Sequence, residues 1–323
     1  MSQTDEAIPM TVASRRMLTP TIAEFTLVPT AGGSLPSYGP GAHVTVKTPS
    51  GAMRRYSLVG PGQDPESYII AVKLEPDSRG GSKSMHEEVF EGSELLVEAP
   101  ENEFPIKDAP KYLLIAGGIG VTPIMAMARY ADEKSKPLKI IYCTRSAEDA
   151  AYLDELKETY GSRIESYGPT LIVHHDGGDP SKVYDFWDHF ANPRNIHVYC
   201  CGPKPLMDEI KAISGHWPEG RVNFEDFKPV EVIRPDDQEF EVELAKTGGT
   251  ITVPADRSIL ESIRDNGLPT VSSCESGTCG TCKTRLISGD VDHRDMVLMD
   301  EEKDDFIMIC VSRARSGKLV IDL

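Results

Sequence analysis

The chain has 323 residues, enough for two or three separately cored domains, and its 39% hydrophobic and 26% charged residues are those of a globular protein. No run approaches the ~20 apolar residues that cross a bilayer, and a formal charge of −17 lacks the clustered Lys and Arg that nucleic-acid phosphates require. The first ten residues, with Asp5 and Glu6, have neither the basic start nor the apolar stretch of a secretory leader, so a cytoplasmic protein acting away from membrane and nucleic acid is expected.

From Thr11 to Ala109, short strand-like stretches are separated by turn signals at Pro29 to Gly33, Gly39-Pro-Gly41, Pro49-Ser-Gly51 and Gly60-Pro-Gly62. This predicts a small antiparallel β-barrel over residues 1–108. Within it, Arg54-Arg55-Tyr56-Ser57 sets two guanidiniums beside an aromatic ring and a hydroxyl. Such groups can hold a phosphate, stack on a flat ring and hydrogen-bond its edge, although Arg-x-Tyr-Ser alone is equally compatible with an ordinary surface strand. Arg79-Gly80-Gly81-Ser82 offers a second phosphate cradle.

Residues 109–227 read as a parallel α/β domain. The apolar run Lys111 to Ala116 enters Gly117-Gly118-Ile119-Gly120-Val121-Thr122-Pro123 and a helical pattern from Ile124 to Tyr130. Strand, glycine turn and helix start together make an anion site, because backbone N–H groups and the positive helix end face the ligand. Leu138 to Cys143, Arg163 to Val173 and His197 to Cys201 supply further strands, and Cys201-Gly202-Pro203 opens another helix at a strand's carboxyl end, where ligands bind in such sheets.

Lys228 to Gln238, with two prolines and no sustained period, reads as a linker, compatible with either a mobile or a fixed C-terminal domain. Residues 239–323 then show two short strands around Gly248-Gly249, and a helix from Ser258, as N-cap, to Gly267. Cys274, Cys279 and Cys282 follow with four and then two residues between them, and Cys310 lies further on. This is plant-type ferredoxin spacing for a 2Fe-2S cluster; structural zinc usually pairs two Cys-x2-Cys knuckles, and only one is present.

In this order the motifs resemble the phthalate dioxygenase reductase family of flavin iron-sulfur reductases, which serve Rieske-type oxygenases and demethylases, including those acting on vanillate. The likeness rests on Arg54 to Ser57, Ala71-Val72-Lys73, Gly80 to Ser82, Ala116 to Pro123, His174-His175-Asp176, Tyr199 to Pro203, Phe224-Glu225 and the four cluster cysteines. It implies an antiparallel β-barrel flavin domain, a parallel-sheet NAD domain and an α+β, β-grasp plant-type ferredoxin domain. FMN, NADH and a 2Fe-2S cluster are the implied cofactors, a terminal Rieske-type oxygenase the implied partner, and a monomer the expected state.

By the same resemblance Arg54, Arg55, Tyr56, Ser57, Ala71, Val72, Lys73, Gly80, Gly81 and Ser82 hold FMN. Gly117, Gly118, Gly120 and Thr122 line the NAD pyrophosphate, Thr144 and Arg145 lie at the adenosine end, and Asp176 disfavours a 2′-phosphate. Cys201, Gly202 and Pro203 sit by the nicotinamide; Ser57, Cys201 and Glu225 are the residues closest to the chemistry. A general NADH-dependent ferric or flavin reductase and a non-catalytic redox sensor are the competing readings.

Overall fold

A computed structural model describes residues 7–76, 80–165, 168–193, 195–227, 234, 236–272, 277, 280–315 and 317–323. Arg79, most of the linker, Cys274 and Cys279 lie outside the described residues. The chain forms two compact units, Met1–Phe227 and Lys228–Leu323.

The first unit begins with β1 (Ile8–Thr19), β2 (Ile22–Pro29), β3 (His43–Lys47), β4 (Met53–Ser57), β5 (Tyr68–Lys73), α1 (Gly81–Glu88) and β6 (Glu94–Val97). The six strands pair antiparallel in the order β4-β3-β6-β1-β2-β5. A bridge between Leu58 and Ile70 brings the two outermost strands together, so the sheet curls into the expected barrel and its seam runs between β4 and β5. Alternation along the strands turns Met10, Val12, Phe25, Leu27, Val44, Val46 and Ile70 inward, where Met85 of α1 joins them.

The chain continues through β7 (Lys111–Gly117), α2 (Val121–Glu133), β8 (Leu138–Thr144), α3 (Leu153–Tyr160), a hairpin of β9 (Ile164–Glu165) and β10 (Gly168–Pro169), and β11 (Leu171–His175). Then come α4 (Trp187–Phe190), β12 (Ile196–Cys201), α5 (Lys204–Ile213) and β13 (Val222–Glu225). Five strands form an all-parallel sheet in the order β11-β8-β7-β12-β13. The order reverses between β7 and β12, so the turns leaving these strands diverge and open a crevice at their carboxyl ends. β7 and β8 are covered on both faces, which explains their continuous apolar runs. The strand expected over Arg163 to Val173 divides into the β9–β10 hairpin and β11, and β13 was not anticipated because four half-buried residues carry no period. A common core containing Ile22, Val59 and Ala71 of the barrel with Leu114, Ile124, Met125 and Tyr142 of the α/β part joins the two halves.

The second unit contains β14 (Phe240–Leu244), β15 (Thr250–Val253), α6 (Ile259–Asp265), β16 (Lys283–Ser288), β17 (Val291–Asp292), β18 (Phe306–Met308), β19 (Arg313–Ala314) and β20 (Lys318–Ile321). The sheet order β15-β14-β20-β16-β18, with β14 and β20 parallel and the other neighbours antiparallel, is the β-grasp arrangement. Ser258 caps α6 with a reciprocal bond to Glu261, and Gly267 follows its end at φ 73°. Ile259, Leu260 and Ile263 press the helix onto the sheet. The linker's last residues are built into this unit: the Asp237 carboxylate accepts from Arg294 Nη1 at 2.8 Å and lies 3.4 Å from Arg313 Nε, and both arginines are buried. The two guanidiniums hold the Asp237 carboxyl below its usual pKa range, led by the hydrogen bond from Arg294.

Candidate active site

The barrel seam gathers the first group of polar residues. Ser57, at the end of β4, is buried, and its Oγ has no hydrogen-bond partner among the described residues. Leaving such a hydroxyl unpaired costs about 1–3 kcal/mol, which points to a partner beyond the described residues, as a bound ligand would be. Gly80 (φ 96°), next to Ser50, starts α1 with no side-chain cap among the described residues. A Cβ on Gly81 would lie 2.9 Å from Arg54 Nε and 3.1 Å from Arg54 Cγ, so glycine is what lets the guanidinium lie against the helix start. The N–H groups of a helix's first turn, the Arg54 cation and an aromatic ring at Tyr56 fit a phosphate-bearing flat ring.

The other barrel residues frame this cradle. Val72 O is held by His86 Nε2 of α1 at 2.9 Å, Lys73 pairs with Glu75 at 2.8 Å, and Glu75 N donates to Ser82 Oγ at 3.1 Å. Ala71 is buried at the junction with the α/β half. Arg55 is turned to the rim, where Nη1 donates to Glu103 at 2.7 Å and Nη2 lies 3.5 Å from Glu101.

At the sheet crevice, the glycines serve packing as well as approach. A Cβ on Gly120 would fall 2.2 Å from the Cys201 carbonyl oxygen, one on Gly117 2.5 Å from Pro203 Cδ, and one on Gly202 2.9 Å from Gly117 Cα. The turns after β7 and β12 therefore interlock through absent side chains. Gly118 differs: its φ is 53° and nothing lies within 4 Å of its missing Cβ, so the space beside this turn is open. Thr122 donates its hydroxyl to Ile119 O at 3.0 Å, fixing the turn from within. Gly120→Ala is expected to lose ~3 kcal/mol of stability through this backbone collision, whereas Gly118→Ala loses about 1 kcal/mol from its left-handed backbone alone. Denaturant midpoints compare the two; equal midpoints would mean that the turns can part.

Cys201 and Glu225 are register partners at the carboxyl ends of β12 and β13. Burial drives the Cys201 thiol well up, with Glu225 adding to the effect. Burial likewise pushes the Glu225 carboxyl up to about 8, opposed by Arg55 and assisted by Glu103. Its Oε2 is sealed from solvent with no partner among the described residues. A neutral thiol beside a neutral carboxyl offers shape and hydrogen bonding, not a nucleophile.

Across the sheet, Thr144 Oγ1 bonds Ser146 O at 2.9 Å and His175 Nδ1 at 2.7 Å. Gly177 N donates to Arg145 O at 2.9 Å, and Asp176 Oδ1 accepts from Gly178 N at 2.7 Å. These contacts bring Thr144, Arg145 and Asp176 to the same end of the sheet as Gly118.

In the second unit, Cys282 and Cys310 are both buried in the core, while Gly277 and Gly280 adopt φ of 74° and 80°. A Cβ on Gly277 would meet Val311 at 2.8 Å, and Met296 N donates to Gly277 O at 3.0 Å. Asp295 Oδ2 accepts from Val297 N at 3.1 Å and Leu298 N at 2.8 Å, stiffening the segment that braces the loop. Buried thiols beside a tightly turned glycine loop fit a cluster held by thiolates.

Two contacts that sequence reading missed tie the halves of the first unit. Arg129 reaches Val59 O and Glu155, and Tyr199 Oη accepts from Lys107 N at 2.7 Å. Neither carries a local signal, since each partner lies far away in the chain.

Family comparisons agree with this geometry. Residues 242–315 match the 2Fe-2S iron-sulfur cluster binding domain, and residues 114–212 match the oxidoreductase NAD-binding domain. Together they define an NAD-linked iron-sulfur oxidoreductase. The chain is 47% identical over 305 residues to the phthalate 4,5-dioxygenase oxygenase reductase subunit of Pseudomonas putida, covering 94% of this chain and 92% of that protein. It is 44% identical to phthalate dioxygenase reductase of Burkholderia cepacia, covering 99% of both. A solved phthalate dioxygenase reductase, described as a modular structure for electron transfer from pyridine nucleotides to [2Fe-2S], superposes with a TM-score of 0.87 at 43% identity over 98% of both chains. The chain belongs to the phthalate dioxygenase reductase family.

Proposed function

We propose that this protein is the reductase component of a Rieske-type aromatic-ring dioxygenase system, taking electrons from NADH and delivering them to a terminal oxygenase whose substrate is phthalate. The observation that carries the reading is a pair of sealed oxygens with no hydrogen-bond partner among the described residues: Ser57 Oγ on the barrel seam, and Glu225 Oε2, whose carboxyl lies in the field of Arg55, two residues from Ser57. FMN and a 2Fe-2S cluster supply the conversion between a two-electron donor and one-electron delivery. Residues 1–108 hold the flavin, 109–227 the nucleotide and 239–323 the cluster, in a cytoplasmic monomer.

In this reading Arg54 and the start of α1, at Gly80, Gly81 and Ser82, bind the flavin phosphate. Tyr56, Ala71, Val72 and Lys73 border the ring, and Ser57 donates to its edge. Gly118 lets the nucleotide pyrophosphate approach the backbone, with Gly117, Gly120, Gly202, Pro203 and Thr122 holding the turns in place. Cys201 and Glu225 close the nicotinamide side. Thr144 and Arg145 receive the adenosine end, and Asp176 repels a 2′-phosphate, favouring NADH over NADPH. Cys274, Cys279, Cys282 and Cys310 hold the cluster.

Anaerobic titration of purified protein with NADH, followed by absorbance, is the test. Flavin and iron-sulfur bands should both bleach, FMN should be released on denaturation, and NADPH should be a poor substitute. A protein without flavin, or one whose iron-sulfur band ignores NADH, would overturn the electron route.

A further inference from the structure

A line of contacts away from these pockets joins the nucleotide turn to the barrel strand that borders the flavin. Tyr142, fully buried on β8, places its hydroxyl 3.3 Å from Gly118 O and 3.1 Å from Ala151 O. One hydroxyl proton is thus shared by two carbonyls, so a displacement of the Gly118 turn changes how firmly Ala151 is held. The next residue, Tyr152, has φ 59°, a left-handed backbone that a bulky side chain adopts only when its surroundings impose it. Those surroundings are on the barrel. Tyr152 is 7% exposed, sits in the shared core and donates to Glu24 Oε2 at 2.8 Å. Glu24 is itself held by Arg16, 3.0 Å from its Oε1, and stands opposite Ala71 in the β2–β5 register.

We propose that Tyr142 and Tyr152 are positioning residues, a strut from Gly118 through Ala151 and Glu24 to β5 that sets the spacing between bound nucleotide and flavin. The proposal rests on the assignment of Gly118 and Ala71 to those two ligands. In the step it serves, the C4–H bond of NADH breaks and the hydrogen passes with both electrons to a flavin nitrogen, leaving NAD⁺. The rate depends steeply on that spacing, since a misplacement of ~1 Å is worth on the order of 100-fold. Neither tyrosine touches the reacting atoms, so the strut acts on geometry and leaves the binding contacts themselves in place.

The experiment uses flavin- and cluster-loaded full-length protein and four variants: Tyr142→Phe, Tyr152→Phe, Glu24→Ala and Glu24→Gln. Rapid mixing with NADH measures the limiting rate of flavin reduction and the NADH dissociation constant separately, together with the long-wavelength charge-transfer absorbance of the stacked rings. Tyr152→Phe and Glu24→Ala should lower the limiting rate about 10-fold or more and weaken the charge-transfer absorbance, with the dissociation constant changed less than about twofold. Glu24→Gln, which keeps an acceptor, should restore both. Tyr142→Phe combined with Tyr152→Phe should cost less than the product of the two single losses, as expected of members of one strut.

Amide hydrogen exchange supplies a readout without turnover. NAD⁺ should protect residues 22–27 and 68–73 as well as 117–124 in the parent protein, and only 117–124 in Tyr152→Phe. Variants that merely melt earlier, with parental limiting rates and parental protection of the barrel strands, would overturn the strut. A parent protein whose flavin NADH does not reduce would instead overturn the assignment on which the strut rests, and the two failures are separately visible.

Discussion

Cys310→Ser should leave electron entry intact and abolish electron exit. In the variant, NADH still bleaches the flavin, while reduction of a one-electron protein acceptor falls by at least about 100-fold, beyond the 10–100-fold typical of losing a mere outer-shell contact to a metal site. Cys310 follows β18, is 2% exposed and belongs to the core of the second unit with Cys282. The NAD-binding match and the barrel lie wholly in the first unit, and Cys310 belongs to the second. Serine presents a harder, shorter and far less acidic donor than cysteine, and iron in such clusters prefers thiolate. Iron and sulfide per chain, with the visible and paramagnetic spectra of the reduced protein, read the outcome directly. A variant keeping both metals and the parental spectrum would remove Cys310 from the ligand set, and the fourth ligand would have to be sought elsewhere.

The features legible in the sequence are those fixed by neighbours in the chain. Cysteine spacing announced a 2Fe-2S domain, which the match over residues 242–315 bears out; Gly117 to Pro123 marked a strand, turn and helix start, and Ser258 with Glu261 the start of α6, because those two motifs complete their geometry within a few residues. β13 escaped, as a four-residue edge strand whose register is supplied only by β12. Asp237 likewise looks like an exposed turn residue until Arg294, 57 positions on, is known to hold it. Arg55 is the instructive site residue. Its place in Arg54-Arg55-Tyr56-Ser57 suggests a flavin ligand, and nothing local announces that its guanidinium also bonds Glu103, 48 positions away. Likewise, the glycines after β7 and β12 announce an anion turn, but their steric interlock exists only once the reversed strand order brings the turns together. Tyr152 and Glu24, separated by 128 positions, carry no joint signature at all.

Glu225→Gln should remove a pH dependence from both stability and nucleotide binding. The Glu225 carboxyl is pushed up to about 8 by burial, against an ordinary value of 4.5, so between these limits the folded chain keeps a proton that the unfolded chain has released. Because the folded value is the higher one, this contribution favours folding fully below pH 4.5 and is lost as pH rises through about 8. Across that window the parent protein should lose at most ~1.4 kcal/mol per pH unit from this group, and the residue's partial exposure reduces the figure. Glutamine holds no titrating proton and should flatten the slope. The same charge distinguishes the two nucleotide states, since the nicotinamide ring is cationic in NAD⁺ and neutral in NADH. As pH rises from 7 to 9, the emerging carboxylate should tighten NAD⁺ binding by about tenfold in the parent, a fraction of the ~4 kcal/mol available to adjacent charges near a protein surface. NADH binding should hardly move, and Glu225→Gln should bind NAD⁺ with a constant independent of pH. Arg55 opposes the upward shift and Glu103 reinforces it, so Glu103→Gln should move the step to lower pH without removing it. Calorimetric titration of the oxidised protein with NAD⁺ across this range decides the matter: a step that persists in Glu225→Gln would assign the titration to another group.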